Sequence, residues 1–260
     1  MRRPLVFIAA LLVVVLVACQ AESDGTDLES LLESGRAHLE VDEPAEAVVD
    51  LESAIELDPG SSEAHFLLGQ AYNQIGELLK AEDEFRTVIA LDPDNAAAHH
   101  NLGVTFFQLQ DPNSAAAEFE AALAIDPDDP DSHYQLGAAY LVLALSGTDA
   151  MASLDLQLME QATSEFERAL ELREGMPEAL IGMGNVYIQQ ADYAAAVEVL
   201  QQAVEQAPDL PQAYYALGEA YARSGDTPGA CQAYSDFLAL DPPASWRTQG
   251  EQALGALGCP

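Results

Sequence analysis

Ile125-Asp-Pro-Asp-Asp-Pro-Asp131 places four carboxylates within six residues, a density that fits either a calcium loop or an acidic joint between helices. A calcium loop of the EF-hand type wants a glycine at its middle and a glutamate at its close, and neither falls in place here. The same Asp-Pro pair recurs as Asp58-Pro59, Asp92-Pro93 and Asp241-Pro242. Proline lacks a backbone donor and drives its predecessor out of the α region, so each pair ends a helix. The aspartates that follow can accept bonds from the free amides of the next helix and suit the positive end of its dipole. The stretch therefore reads as a joint, and the spacing of its copies becomes the question.

That spacing is 34. Gly35, Gly69, Gly103 and Gly137 lie 34 residues apart, and Gly184 and Gly218 resume the interval. Twelve residues after five of these glycines stand Ala47, Ala81, Ala115, Ala196 and Ala230; 24 after them stand Pro59, Pro93, Pro127, Pro208 and Pro242. Leu51, Phe85, Phe119, Leu200 and Tyr234 keep step, as do Tyr72, Phe106, Tyr140, Tyr187 and Tyr221. Each period reads as two amphipathic helices joined by a turn. Glycine lets the pair approach where a Cβ would hold it apart, and the large side chains fill the space alongside. One such hairpin cannot bury its apolar face alone, so successive hairpins must stack.

With those registered positions, residues 28–244 resemble the tetratricopeptide repeat in six copies: 28–61, 62–95, 96–129, 130–176, 177–210 and 211–244. The resemblance implies an all-α, right-handed α-solenoid of six helix pairs, with residues 245–260 as a C-terminal capping helix. In this family the first helix of each pair lines a concave groove. Carried onto this chain, the inward positions include Phe66, Gln70, Asn73, His100, Val104, Phe107, Tyr134, Leu141, Ile181, Asn185, Ile188 and Tyr215, with Asn101 and Gln135 beside them. Family members that clamp a terminal carboxylate do so with lysines and arginines on this face, which are nearly missing here. Apolar and aromatic residues around Phe66, Phe107, Tyr134 and Leu141 instead suggest a groove for an extended segment or helix of another protein, whose backbone the amides could bond. Closer packing between repeats is the competing account of the same residues.

The repeat frame is broken once. Repeat four carries thirteen extra residues, Ala144 to Leu156, and apolar residues at Met151, Leu154, Leu158, Ala162 and Phe166 keep helical phase through it. This predicts a second helix lengthened by about two turns, capped near Thr148 or Asp149 after a bend at Ser146-Gly147. Beyond the repeats, Ala244 to Leu257 reads as a helix covering the open apolar side of repeat six. If it runs antiparallel to the helix before it, Cys259 returns near Cys231 and a disulfide is expected, with two free thiols as the alternative.

The amino end is a different object. In MRRPLVFIAALLVVVLVACQ, two arginines precede fourteen uncharged residues, Leu5 to Ala18, a run too short to span a bilayer comfortably. Leu16-Val17-Ala18-Cys19 resembles the lipobox of bacterial lipoproteins, in which the signal (here residues 1–18) is removed and the cysteine carries the lipid. The resemblance makes Cys19 the lipidated N-terminus, a palmitate-type anchor followed by a linker to residue 27. Gln20 in place of Asp suggests the outer membrane of a Gram-negative cell, facing periplasm or exterior. Lipobox and six repeats together are similar in plan to the lipoproteins that assist assembly of type IV pilus secretins.

The formal charge of −35, from 9 basic and 44 acidic residues, sets the chain against phosphate backbones and anionic lipid, so nucleic acid is not expected. Hydrophobic residues at 49% exclude disorder as the reading of that charge. His65, His99 and His133 recur 34 apart and invite a metal, but they share one repeat position, where the family places a packing residue. No cysteine or carboxylate accompanies them at ligand spacing, and neither a nucleophile–base set nor a phosphate loop is evident. The expectation is a non-catalytic scaffold or adaptor without metal, cofactor or small-molecule substrate, binding envelope proteins or peptide segments. A cation-binding acidic surface protein, or a non-catalytic subunit of an envelope enzyme, is the alternative.

Overall fold

A computed structural model describes residues 27–146 and 155–259. Thirteen helices are present among the described residues: α1 (Leu28–Glu40), α2 (Pro44–Leu57), α3 (Ser62–Ile75), α4 (Leu78–Leu91), α5 (Ala96–Gln108), α6 (Pro112–Ile125), α7 (Pro130–Leu145), α8 (Leu156–Leu172), α9 (Pro177–Gln189), α10 (Tyr193–Gln206), α11 (Pro211–Ser224), α12 (Thr227–Ala239) and α13 (Ala244–Leu257). Odd and even helices pair through α12, each even helix packs on the next odd one, and the odd helices touch in succession along one face. This is an α-solenoid of six helix pairs, closed by α13 against α12.

Local chemistry marks the ends. Asp27, Ser61, Asn95, Asp111, Asp129, Asp192 and Asp226 each accept a bond from a first-turn amide. These side chains satisfy donors that the helix itself leaves unpaired. In the quoted stretch, Asp126 accepts from its neighbour Asp128 N at 3.3 Å, and Asp129 takes Ser132 N at 3.0 Å. Asp128 pairs with Arg168 at 2.7 Å and Asp131 with Arg173 at 2.7 and 2.8 Å, so the joint is tied to helix α8 of repeat four and the turn after it. Within five of the pairs the chain reverses through a residue of positive φ: Gly76 and Gly225 in repeats two and six, but Asp42, Gln110 and Ala191 in repeats one, three and five.

The core is a file of side chains from the even helices seated on the glycines of the odd ones. Leu51, Phe85, Phe119, Phe166 and Leu200 are fully buried, and Tyr234 nearly so. Across the joints, Tyr72 donates its hydroxyl to Glu52 at 2.7 Å and Tyr140 to Glu120 at 2.6 Å, bonding each repeat to the one before. Burial and these partners push both phenols well above the usual tyrosine range.

The insertion differs from its expectation. Helix α8 begins at Leu156, with Asp155 extended and accepting from Gln157 N and Leu158 N, so its cap lies later in the chain than the one expected near Thr148 or Asp149. An aspartate cap with two amide bonds outweighs the apolar phase that continues upstream. Both helices of the pair are longer than their counterparts, 16 residues in α7 and 17 in α8. Ser146 ends α7, whereas Gly147, Thr148 and Asp149 lie outside the described residues.

Candidate protein-docking face

The odd helices bring most of the expected groove residues onto one face, half-buried between core and solvent. Their depth has a simple cause: the fifth residue of α3, α5, α7 and α11 leans on the core ring of the partner helix. Phe66 meets Phe85 edge-on at 5.9 Å, His100 meets Phe119 at 5.7 Å, and Tyr134 lies tilted on Phe166 at 6.1 Å. Tyr215 contacts Tyr234 at 5.5 Å, Phe237 at 5.3 Å and Trp246 of the cap at 6.0 Å. Each ring gives one surface to packing and keeps part of the other exposed. Val104, Phe107 and Leu141 pack on the core in the same half-buried way, as Ile181 does farther along. Ile188 does not belong with them. At 2% exposure it is a core residue between repeats five and six, because the end of α9 is covered by its neighbours.

The amides divide similarly. Asn73 is committed to the fold: its Nδ2 lies 3.0 Å from Thr105 Oγ1 and its Oδ1 3.1 Å from the same oxygen, while Thr105 is wholly buried. Asn101 donates to the Ala97 carbonyl at 2.8 Å, leaving its oxygen to accept. Gln70, Gln135 and Asn185 are half-buried on the face.

Clefts between successive odd helices open on this face. One of about 280 Å³ is lined by amides, including Gln70, Asn73, Gln74 and Gln108. A more apolar cleft of about 400 Å³ lies between Phe107 and Val142, with Gln110, Pro112 and Ser146 around it. Tyr134, Ile181, Leu210, Glu178 and Gln212 border a third, of about 200 Å³. Burial and the Glu178 charge raise the Tyr134 phenol above its usual range. A fourth, of about 300 Å³, sits where α5 meets α7 and includes His100, Asn101, Asp126, Asp129 and Asp131. Gln74, Gln108, Val142, Glu178 and Gln212 were not among the expected groove residues, although each stands at the second or thirteenth position of its helix, which the repeat register places inward.

The fourth cleft has the most defined polar geometry. Ser132 Oγ donates to Asp129 Oδ2 at 2.5 Å and accepts from His100 Nδ1 at 2.7 Å. Burial lowers the His100 pKa, opposed by Asp129 and Asp131, so the neutral ring is favoured. With Nδ1 carrying the hydrogen, Nε2 is an acceptor. Burial alone would raise the Asp129 carboxyl, but the Ser132 hydroxyl and backbone amides hold it below the usual carboxylate range.

The repeated histidines are joints of the fold. Nδ1 of His65, His99 and His133 lies 2.6, 2.7 and 2.6 Å from Glu84, Glu118 and Glu165. The Nε2 atoms face the carbonyls of Pro59, Pro93 and Pro127 at 3.1, 3.3 and 3.0 Å. A carboxylate does accompany each ring, against the sequence reading, but one to one; among the described residues no three His, Cys, Asp or Glu side chains gather as a metal set. The signal was present in sequence, since Glu84 and Glu118 each follow their histidine by 19 residues. Cys231 and Cys259 are joined in a disulfide with Cα atoms 5.7 Å apart, and Cys19 lies outside the described residues.

Family models described as tetratricopeptide or TPR repeat match residues 38–103, 105–143, 184–225 and 212–243. No curated protein matches the sequence closely enough to count as a relative. Among solved structures, the chain is similar to PilW, titled a widely conserved type IV pilus biogenesis factor: TM-score 0.72, 16% identity, covering 85% of this chain and 97% of PilW. Similarity to PilF of Pseudomonas aeruginosa has TM-score 0.68 and 21% identity, over 87% of this chain and 96% of that one. Similarity to the APC/C hetero-tetramer Cut9-Hcn1 has TM-score 0.74 and 19% identity; 90% of this chain matches but only 44% of the other. At these identities the structures speak for the fold. With the repeat models matching along most of the solenoid and the helix pairs stacked as the 34-residue register requires, the chain belongs to the tetratricopeptide-repeat family.

Proposed function

We propose that this repeat scaffold is an exported adaptor, anchored through a lipidated Cys19, whose concave face holds an extended segment or helix of another envelope protein. Assembly of a pilus, a secretion apparatus or another envelope complex is the setting, and the fold shared with PilW and PilF supports it. The observation that carries the reading is the set of clefts between successive odd helices, bordered by half-exposed Phe107 and Tyr134. Such clefts offer apolar side-chain sites at regular intervals, with amide groups between them to bond a guest backbone.

The test is photo-crosslinking from the full chain in intact envelopes, with the reactive residue at Gln108 on the face or at Glu205 on the exposed side of α10. Specific adducts from position 108 alone are expected, and Phe107→Asp or Tyr134→Asp removes them while helicity persists. Equal adducts from both positions would reject the concave face as the docking site. Separately, Cys19→Ala is expected to move the protein from the membrane to the soluble fraction, and mass spectrometry of the N-terminal peptide reads the acyl chains directly.

A further inference from the structure

The face has apolar clefts, and its charge names the kind of chain that fits them. All seven basic side chains among the described residues are already paired with carboxylates of this protein. On the concave positions the cations are Arg36 and Arg223, and they are held by Glu63 and Glu219 of the same face. Arg173 likewise occupies Asp131. What has no arginine or lysine paired to it on the face is negative: Glu29, Glu178, and the Asp126 and Asp129 carboxylates of the cleft between α5 and α7, with Arg173 near enough to act on Asp129 and Glu178 but bonded to Asp131. The remaining polar atoms of that cleft point the same way, since the Asn101 oxygen is free to accept and the Ser132 hydroxyl fixes His100 Nδ1 as donor, leaving Nε2 to accept. An acidic guest would meet repulsion at these carboxylates, and so would a second copy of this chain at −35.

We propose that the concave face takes a basic segment of its partner, with one arginine or lysine entering the α5–α7 cleft and apolar neighbours resting in the clefts at Phe107 and Tyr134. The inference rests on the reading of this face as a docking surface and specifies the chemistry of what docks. A guanidinium supplies only donors, and the cleft presents chiefly acceptors, so an uncharged or acidic residue there leaves them unmatched. The neighbouring apolar clefts set the register, which charge alone does not.

The probe is a fluorescein-labelled, capped dodecapeptide alternating arginine with leucine, compared with its citrulline counterpart by anisotropy at 150 mM salt. The arginine peptide is expected to bind at least tenfold tighter. Asp126→Asn with Asp129→Asn is expected to remove about tenfold, asparagine at 129 still capping α7. Glu198→Gln with Glu205→Gln, the same charge removed from exposed α10 positions, is expected to change binding less than twofold. Equal loss in the two double variants means diffuse attraction and overturns the proposal, as does equal affinity for the two peptides or binding of neither. A concentration-dependent dimer in sedimentation equilibrium, abolished by Phe107→Asp, identifies a second copy as the occupant and overturns it too. If crosslinking from position 108 captures a partner through an acidic or neutral segment, this inference fails while the docking reading stands.

Discussion

A Cβ built on Gly103 would stand 2.7 Å from Cε1 of Phe119, closer than real Cβ contacts come. The ring is fully buried and cannot retreat, so Gly103→Ala forces the α5–α6 pair apart. We expect a loss of about 1–3 kcal/mol by urea denaturation. Gly255 in α13 has nothing within 4 Å of the same built atom. There alanine removes backbone entropy without a clash, and Gly255→Ala should stabilise α13 by about 0.5–1 kcal/mol.

Ala191 makes the opposite case. Its φ of 61° lies in the left-handed region, at the reversal where Gly76 and Gly225 serve repeats two and six. An L side chain there costs about 1 kcal/mol, so Ala191→Gly should leave stability unchanged or raise it by up to about 1 kcal/mol. A clear fall in the thermal midpoint would contradict the strain assignment.

Why some of this was legible in sequence and some was not follows from how each feature is encoded. The glycines at 35, 69 and 103 and the Asp-Pro joints are steric requirements of single positions, and they recur at a fixed interval. The cap helix was readable for a similar reason, its bounds at Ala244 and Leu257 falling between a proline pair and a glycine. The start of α8 was not, because apolar phase through Met151 and a cap at Asp155 compete, and periodicity does not weigh them. Ile188 is buried, and Asn73, although it borders a cleft, is already bonded, because repeat register says which way a side chain leaves its helix, not whether the next repeat covers it or bonds it. Asn73 is lost to Thr105, which lies 32 residues away in the following repeat.

The disulfide between Cys231 and Cys259 closes a stretch of 28 residues around α12 and α13. By loop entropy its removal costs at most about 3–4 kcal/mol, concentrated at the carboxyl end. Trp246, the one tryptophan in the chain, packs 6.3 Å from Phe237 and reports on that end. Cys231→Ser with Cys259→Ser should red-shift its emission at temperatures where total helicity is still near its maximum.

His100 gives a pH dependence with a definite sign. Burial lowers its folded pKa below the unfolded value of about 6.5, so below that pH the unfolded chain binds a proton that the folded chain resists. Its contribution is full above about pH 6.5 and is lost as the pH falls toward the folded pKa. Between pH 7.5 and 5.5 the wild type should lose more stability than His100→Gln in urea titrations. Parallel losses would assign the effect to the general carboxylate background.

The pairing of Arg36, Lys80, Arg86, Arg168, Arg173, Arg223 and Arg247 with carboxylates of the same chain reaches beyond the docking face. With attraction confined to short contacts, the long-range term left between repeats is mutual repulsion, which added electrolyte screens over about 8 Å at 0.15 M. The stack is then expected to behave as a polyanionic spring, its turns drawn apart in dilute buffer and settling closer in salt.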